Sequence, residues 1–107
     1  MRIEGKRFVV TGASSGIGRA LALELAGRGA ALTLAARRLE LLENTSKEAG
    51  ERFPSNLPID VVRCDVRVPS DVSALIGGTV ERHGAIDVLV NNAGISAFGV
   101  AARTPLD

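Results

Sequence analysis

Hydrophobic positions along the chain fall into two patterns that alternate from one end to the other. Three longer stretches have apolar residues at helical spacing, and they begin at Gly16, Leu39 and Pro69. Before, between and after them lie short apolar or β-branched runs typical of strands, at residues 6–11, 30–36, 59–64 and 86–90. Residues 30–36 are apolar at every position except Thr33, as is typical of a strand buried on both faces of a parallel sheet.

The order strand, helix, strand, helix, strand, helix, strand predicts parallel strands joined by right-handed helical crossovers. We expect the first half of a Rossmann-type, doubly wound α/β fold, with the strands in the order 3-2-1-4. Residues 1–107 form one domain in this interpretation. The same alternation also fits a flavodoxin-like domain or a methyltransferase, so element order alone does not determine the function.

Composition and charge exclude several classes of protein. The 107 residues are 46% hydrophobic and 23% charged, which is typical of a globular domain and not of a disordered chain. A net charge of +1 gives no electrostatic case for binding nucleic acid or a membrane surface, and one histidine with one cysteine makes no metal cluster. The longest apolar stretch spans seven residues, whereas a membrane crossing needs about 20. Without a signal peptide or an internal disulfide, we expect a cytoplasmic location.

The first strand runs into a glycine-rich turn with the spacing G-x-x-x-G-x-G, formed by Gly12, Gly16 and Gly18. Gly12 allows a sharp turn, Gly16 allows the main chain to approach a pyrophosphate, and Gly18 allows the next helix to pack tightly on the sheet. Main-chain N–H groups at the start of that helix favour an anion, and Ser14 and Ser15 add hydroxyl donors. The alternative is a tight turn that binds no ligand.

Polar residues also follow the third and fourth strands. Asp65 lies at the carboxyl edge of the sheet, where its carboxylate can accept a hydrogen bond from an adenine amino group beside the apolar Val66. The alternative is that Asp65 caps the turn ahead of Pro69. After the fourth strand comes the turn Asn91-Asn92-Ala93-Gly94, whose asparagines can also act simply as a cap on the strand end.

These segments resemble the short-chain dehydrogenase/reductase family. Residues 11–18 are similar to the family's Thr-Gly-x-x-x-Gly-x-Gly cofactor motif, and residues 91–94 to its Asn-Asn-Ala-Gly signature. Asp65 and Val66 match the position that meets the adenine. The resemblance implies that the main chain of residues 92–94 lies along the cofactor ribose, while part of this motif holds the sheet together. The motifs cover nearly the whole chain, but only the N-terminal half of such enzymes.

The end of the second strand indicates which dinucleotide is bound. A chain that binds NAD usually carries an acidic residue there for the ribose 2′-hydroxyl, whereas this chain has Ala36 followed by Arg37 and Arg38. A guanidinium pairs with phosphate through two parallel hydrogen bonds. Because a basic residue directly after this strand implies NADP preference in the resembling family, Arg37 is the first candidate for the 2′-phosphate. Arg38 either assists it or only begins the next helix.

The resemblance implies an NADP(H)-dependent oxidoreductase that transfers a hydride to or from a small-molecule carbonyl or alcohol, and a homo-oligomer in the full-length form. The family's catalytic Tyr, and the Lys four residues later, follow the Asn-Asn-Ala-Gly turn, and this sequence contains no Tyr. We therefore expect residues 1–107 to be an NADP-binding half-domain, truncated before the catalytic segment and inactive alone. The predicted cofactor-binding residues are Gly12, Ser14, Ser15, Gly16, Ile17, Gly18, Arg37, Arg38, Asp65, Val66, Asn92, Ala93 and Gly94.

Two rival hypotheses come from other classes of protein. The first is a nucleotide-binding or regulatory module of the same fold that has no catalytic activity of its own. The second is a methyltransferase that uses S-adenosylmethionine, and Arg37 and Arg38 argue against it because that cofactor carries no phosphate. Titration with NADPH, NADH and S-adenosylmethionine distinguishes these possibilities.

Overall fold

A computed structural model describes residues 2–54 and 58–92 of the chain. All seven predicted elements are present in the predicted order. The strands are β1 (Arg7–Thr11), β2 (Ala31–Ala36), β3 (Ile59–Arg63) and β4 (Val88–Val90). The helices are α1 (Gly16–Gly27), α2 (Leu39–Arg52) and α3 (Pro69–His83).

The four strands form one parallel sheet in the order β3-β2-β1-β4, which confirms the predicted topology. Phe8 of β1 pairs with Leu32 of β2 and with Val88 of β4. β4 is two residues shorter than its apolar run, because Asp87 binds the main chain of Arg7 in two ways. Its N–H donates to the Arg7 carbonyl at 2.9 Å and its carboxylate accepts from the Arg7 N–H at 2.8 Å.

One face of the sheet carries most of the hydrophobic core. Phe8, Val10, Leu32 and Leu34 point to this face and are buried under α1 and α2. The small residues of α1 and the buried side of α2 bring both helices close to the strands. Every residue of β2 is buried, as the uninterrupted apolar run predicts for an inner parallel strand.

The opposite face is packed against α3 and is polar at its amino-terminal end. Val9, Ala35, Cys64 and Leu75 form a small apolar cluster near the middle of this face. Nearer the amino-terminal end of the strands, the Arg7 guanidinium donates from Nη1 to the Leu32 carbonyl at 3.1 Å and to Thr33 Oγ1 at 3.3 Å.

Asp60, near the start of β3, receives the end of α3 on the same face. Its Oδ2 lies 2.5 Å from His83 Nε2 and accepts from Arg82 Nε at 3.3 Å. Partial burial by itself would raise the pKa of the Asp60 carboxyl, but the hydrogen bonds from His83 and Arg82 outweigh it, so the pKa lies below its ordinary value of 3.8. These contacts attach α3 to the edge strand of the sheet.

The lowered pKa of Asp60 predicts a loss of stability in acid. An acid whose pKa is depressed by folding stabilises the native state above its unfolded pKa, and this contribution is lost as the pH falls below that value. We expect Asp60→Asn to reduce stability at pH 6 by less than about 1 kcal/mol, since the pair is partly exposed. The variant should also show a weaker dependence of stability on pH below about 5.

Urea unfolding across this pH range measures both effects on Asp60. Glu51→Gln is the matched control, because it also neutralises a carboxylate and Glu51 is exposed on α2. Equal pH dependence in the Asp60→Asn variant and the unsubstituted chain would contradict the role given to these hydrogen bonds.

Candidate functional site

The predicted site residues that the structure describes lie at the carboxyl edge of the sheet, on the segments that follow the four strands. The glycine-rich turn follows β1, Arg37 and Arg38 follow β2, Asp65 and Val66 follow β3, and Asn92 follows β4. In open α/β sheets this edge is where ligands bind. Ala93 and Gly94 lie outside the described residues.

Two glycines of the turn adopt a backbone conformation that other residues rarely adopt. Gly12 has a φ of +66° and Gly16 a φ of +60°, so both occupy the left-handed region. Gly16 is exposed, and a Cβ atom added there would meet nothing within 4 Å. The open space at Gly16 is what the close approach of a ligand to the main chain requires.

Gly18 has the opposite environment. A Cβ atom added there would lie 2.1 Å from the carbonyl oxygen of Gly12 and 2.6 Å from Nδ2 of Asn92. The sequence predicts tight packing at Gly18, and the nearest atoms in the structure belong to the turn and to the residue after β4. Gly18 therefore places the start of α1 beside the ends of β1 and β4.

The main chain of Ala13 is fixed from two sides. Its N–H donates to the Ala35 carbonyl at 3.3 Å, and its carbonyl accepts from the Thr45 hydroxyl at 3.2 Å. Ala13 and Thr45 are fully buried. Sequence reasoning missed Thr45, although its place between Leu42 and Ala49 on the inner side of α2 was a usable signal. β2 and α2 thus both hold the main chain of the turn at Ala13.

The rest of the turn faces outward. Ser14 is partly exposed, Ser15 is exposed, and Ile17 is 77% exposed. Ser15 is the N-cap residue of α1 in an extended conformation, and within the described residues its hydroxyl makes no capping hydrogen bond. By helix geometry the first N–H groups of α1 have no carbonyl partner inside the helix. This end of α1 therefore presents donors and a partial positive charge to the carboxyl edge.

A threonine hydroxyl joins the ends of β1 and β4. Thr11 Oγ1 lies 3.0 Å from Asn91 Oδ1 and 3.3 Å from the Val90 carbonyl, and it accepts from the Asn92 N–H at 2.9 Å. Asn91 therefore has the strand-end role that the sequence left open for it. Thr11 was not among the predicted site residues, yet its hydroxyl fixes the main chain of Asn92.

Arg37 and Arg38 differ in the position of their main chains relative to α2. Ala36 is buried at the end of β2, and both arginines are exposed directly after it. Arg38 is the N-cap residue of α2, and its carbonyl accepts from the N–H groups of Leu41 and Leu42 at 3.2 and 3.3 Å. The sequence-based alternative that Arg38 begins the next helix is therefore correct for its main chain. Arg37 lies between the strand and the helix.

Asp65 is bound by a residue that sequence reasoning overlooked. Its Oδ1 accepts from the Arg67 N–H at 2.9 Å and from Arg67 Nε at 3.0 Å, and its Oδ2 accepts from Nη2 at 3.0 Å. These hydrogen bonds lower the pKa of the Asp65 carboxyl to about 2. The turn-capping role that the sequence allowed for Asp65 is thus present, while Val66 packs on the apolar cluster under α3.

The carboxyl edge carries more positive than negative groups on the segments after β2 and β3. Arg37 and Arg38 follow β2 and Arg67 follows β3, and the acidic groups there are Asp65 and Asp71, whose Oδ2 accepts from the Asp65 N–H at 3.0 Å. The N-terminus of α1 adds its partial positive charge. This arrangement suits an anionic ligand with several phosphates. Among residues 2–54 and 58–92, no helix has the length and apolar character needed to cross a membrane.

Comparisons with known proteins agree with this geometry. The family model described as short chain dehydrogenase matches residues 6–107. The 11-beta-hydroxysteroid dehydrogenase A of Sesamum indicum is 47% identical over 98 residues, which are 92% of this chain and 28% of that protein. The chain spans roughly a third of the length of the curated relatives it matches.

Solved structures show the same fold. The L-sorbose reductase of Gluconobacter frateurii, crystallised with NADPH and L-sorbose, has a TM-score of 0.79 and 37% identity, over 89% of this chain and 36% of its own. A metagenomic short-chain oxidoreductase in complex with NADP has a TM-score of 0.80 and 37% identity, over 89% of this chain and 42% of its own. With the family model matching almost all of its length, the chain belongs to the short-chain dehydrogenase family.

Proposed function

We propose that this chain is the cofactor-binding part of an NADP(H)-dependent oxidoreductase that transfers a hydride to or from a small carbonyl or alcohol compound. The observation that carries the proposal is the end of β2, where buried Ala36 is followed by the exposed Arg37. No carboxylate stands at the position of Ala36 to repel a 2′-phosphate, and Arg37 supplies a guanidinium that can bind one. The similar L-sorbose reductase, crystallised with NADPH, supports this choice of cofactor.

The proposal gives each described segment of the carboxyl edge a part of the cofactor to hold. The pyrophosphate lies against the open main chain at Gly16, with Ser14, Ser15 and the start of α1 as donors. Arg37 binds the 2′-phosphate and Arg38 adds positive charge. Asp65 and Val66 face the adenine. The ribose is expected along Asn92, Ala93 and Gly94, as the family resemblance implies; the last two lie outside the described residues.

The chemistry itself belongs to the cofactor, since bound NADPH supplies the hydride. The residues of this chain bind and orient the dinucleotide. The fixed main chain of Ala13 and the Thr11 hydrogen bonds to the segment after β4 keep the binding surface preorganised. Preorganisation reduces the entropy lost on binding and so raises the affinity.

We further propose a cytoplasmic location and a homo-oligomeric full-length form. The substrate is a small molecule, and neither nucleic acid nor a membrane is a partner. The second candidate is a nucleotide-binding module without catalysis. Both candidates require the same nucleotide site, so the first experiment tests that site.

Replacing Arg37 by alanine should weaken NADPH binding and leave NADH binding nearly unchanged. A hydrogen bond between charged groups contributes about 1.5–3 kcal/mol, so we expect the NADPH dissociation constant to rise by one to two orders of magnitude. Titration calorimetry with both dinucleotides measures the effect.

The matched control for this measurement is Arg28→Ala. It removes the same charge from the far end of α1, where Arg28 pairs with Glu24 at 2.8 Å on the surface. NADH binding as tight as NADPH binding in the unsubstituted chain would show that Arg37 does not select the 2′-phosphate.

A further inference from the structure

The neighbourhood of Arg37 contains an acidic residue that works against the binding of a phosphate. Ala36 of β2 pairs with Arg63 of β3, and the Cys64 N–H donates to the Ala36 carbonyl at 2.9 Å. Arg37 and Asp65 therefore leave the sheet side by side, each one residue beyond this hydrogen bond. Neighbouring strands lie about 4.8 Å apart, so the two side chains start close together.

The charges of Arg37 and Asp65 act on each other at this range. The positive charge of Arg37 is one of the causes that lower the pKa of Asp65, after the larger effect of the Arg67 hydrogen bonds. An ionised carboxylate beside Arg37 reduces the positive potential that Arg37 offers to a phosphate and repels the phosphate itself. A site for a 2′-phosphate with Asp65 at its edge needs that negative charge to be balanced.

Arg67 supplies the balancing charge. Its guanidinium donates from Nε to Oδ1 and from Nη2 to Oδ2, both at 3.0 Å, in the two-pronged geometry that matches a carboxylate. The Asp65 side chain is only 18% exposed, whereas that of Arg67 is 71% exposed. The pair therefore keeps a neutralised carboxylate mostly buried, two residues before Arg67, and leaves most of the guanidinium in solvent.

We propose that Arg67 is a specificity-determining residue, which favours NADP(H) over NAD(H) by neutralising Asp65 and so leaving Arg37 free to act on the 2′-phosphate. The inference rests on the proposed function and adds a second residue to the choice of cofactor. Arg67 acts through Asp65 in this proposal and does not itself touch the phosphate, so it is a positioning residue.

A double-substitution cycle tests this mechanism with two small probes. Adenosine 2′,5′-bisphosphate and 5′-AMP differ only in the 2′-phosphate, so the ratio of their dissociation constants isolates that group and cancels the contact of Asp65 with adenine. Titration calorimetry gives the ratio for the unsubstituted chain, Arg67→Ala, Asp65→Asn and the double variant. Arg28→Ala again controls for loss of one positive charge.

We expect Arg67→Ala to reduce the preference for the bisphosphate about fivefold, as for an uncompensated charge near a surface site. Asp65→Asn should leave the preference intact or increase it, and the double variant should recover it. A double variant as impaired as Arg67→Ala would overturn the proposal, since Arg67 would then act on the phosphate directly. An unchanged preference in Arg67→Ala would overturn it as well.

Two further variants separate the charge of Arg67 from its role in the turn. Arg67→Lys keeps the charge and loses the fork, whereas Arg67→Gln keeps a donor and loses the charge. The proposal requires the lysine variant to retain most of the preference and the glutamine variant to lose it, even if Arg67→Ala does not fold. The reverse order of these two variants would overturn the proposal. The difference in preference between the lysine and glutamine variants should shrink near 1 M salt, where the Debye length is about 3 Å.

The same data distinguish failure of this inference from failure of the proposed function. If the unsubstituted chain shows no preference for the bisphosphate and Arg37→Ala changes nothing, then the NADP assignment is wrong and the role of Arg67 is refuted with it. If the preference exists and depends on Arg37 but not on Arg67, then only the present inference is refuted.

Discussion

Replacing Gly18 by alanine should destabilise the chain by about 3 kcal/mol or more, because the added methyl group has no space. Its Cβ would lie 2.1 Å from the Gly12 carbonyl oxygen. The Asn92 side chain, 2.6 Å away, can rotate, but the oxygen belongs to main chain in a left-handed turn and can move only if the turn moves. The turn then loses its shape, so nucleotide binding should fall with stability.

Gly77→Ala is the matched control for this prediction. Gly77 lies inside α3, and a Cβ atom there would meet nothing within 4 Å. Because alanine favours the helix over glycine by about 1 kcal/mol, this variant should be more stable than the unsubstituted chain. Urea unfolding measures both variants. Equal stability of Gly18→Ala and the unsubstituted chain would contradict this prediction, since the distance between α1 and the turn would then have to allow a methyl group.

Gly16→Ala separates backbone strain from lack of space. The site is open, so the only direct cost is the left-handed backbone, about 1–2 kcal/mol for a residue with a Cβ atom. The three helical glycines thus have three expected outcomes: Gly18→Ala strongly destabilising, Gly16→Ala mildly destabilising, and Gly77→Ala stabilising.

The sequence predicts the fold well because the apolar pattern is strong in this chain. The apolar run of β2 could be buried on both faces only at the centre of a parallel sheet, and right-handed crossovers then leave few strand orders. The pattern overestimates the length of β4, since Ile86 is apolar while the carboxylate of the next residue, Asp87, accepts from the Arg7 N–H in place of a main-chain carbonyl. Periodicity shows which residues are apolar, but not where a side chain competes with the main chain.

The candidate site is less predictable, because its residues depend on partners that periodicity does not identify. The left-handed Gly12 and Gly16 follow from the motif. The contact of Thr45 with the Ala13 carbonyl depends instead on how α2 lies against the turn, 32 residues away in sequence. The pattern can assign a residue such as Thr45 to a buried face, but it cannot predict which group accepts the hydrogen bond from its hydroxyl.

Two other contacts had usable signals in the sequence. Asp65 and Arg67 are two residues apart, a spacing at which an aspartate commonly accepts from the main chain in a turn before a helix. The helix that follows β3 must return to the amino-terminal edge of the sheet, so its last residues meet the beginning of that strand. His83 therefore reaches Asp60, a contact that follows from the predicted topology and not from the spacing of the two residues in sequence.

A polypeptide of these 107 residues should bind NADPH and yet leave it unoxidised in the presence of ketones and aldehydes. Hydride transfer to a carbonyl needs a group that gives a proton to the substrate oxygen, and such a group contributes about 10²–10⁴-fold to the rate. In the resembling family this group is a Tyr assisted by a Lys, and the sequence contains no Tyr. Lys6 precedes β1 at the opposite edge of the sheet, and Lys47 lies within α2.

The remaining proton donors among the described residues are poorly placed for this reaction. His83 contacts Asp60 at the amino-terminal edge, far from the carboxyl edge that carries the candidate site. Cys64 is buried, and that burial, with the nearby Asp71 and Asp65 charges, raises the pKa of its thiol. NADPH absorbance followed against a protein-free blank measures turnover, and fluorescence titration measures binding in the same sample. Turnover well above the blank would require an acid other than the family's Tyr, whereas binding without turnover would mean that the nucleotide site forms separately from the catalytic chemistry.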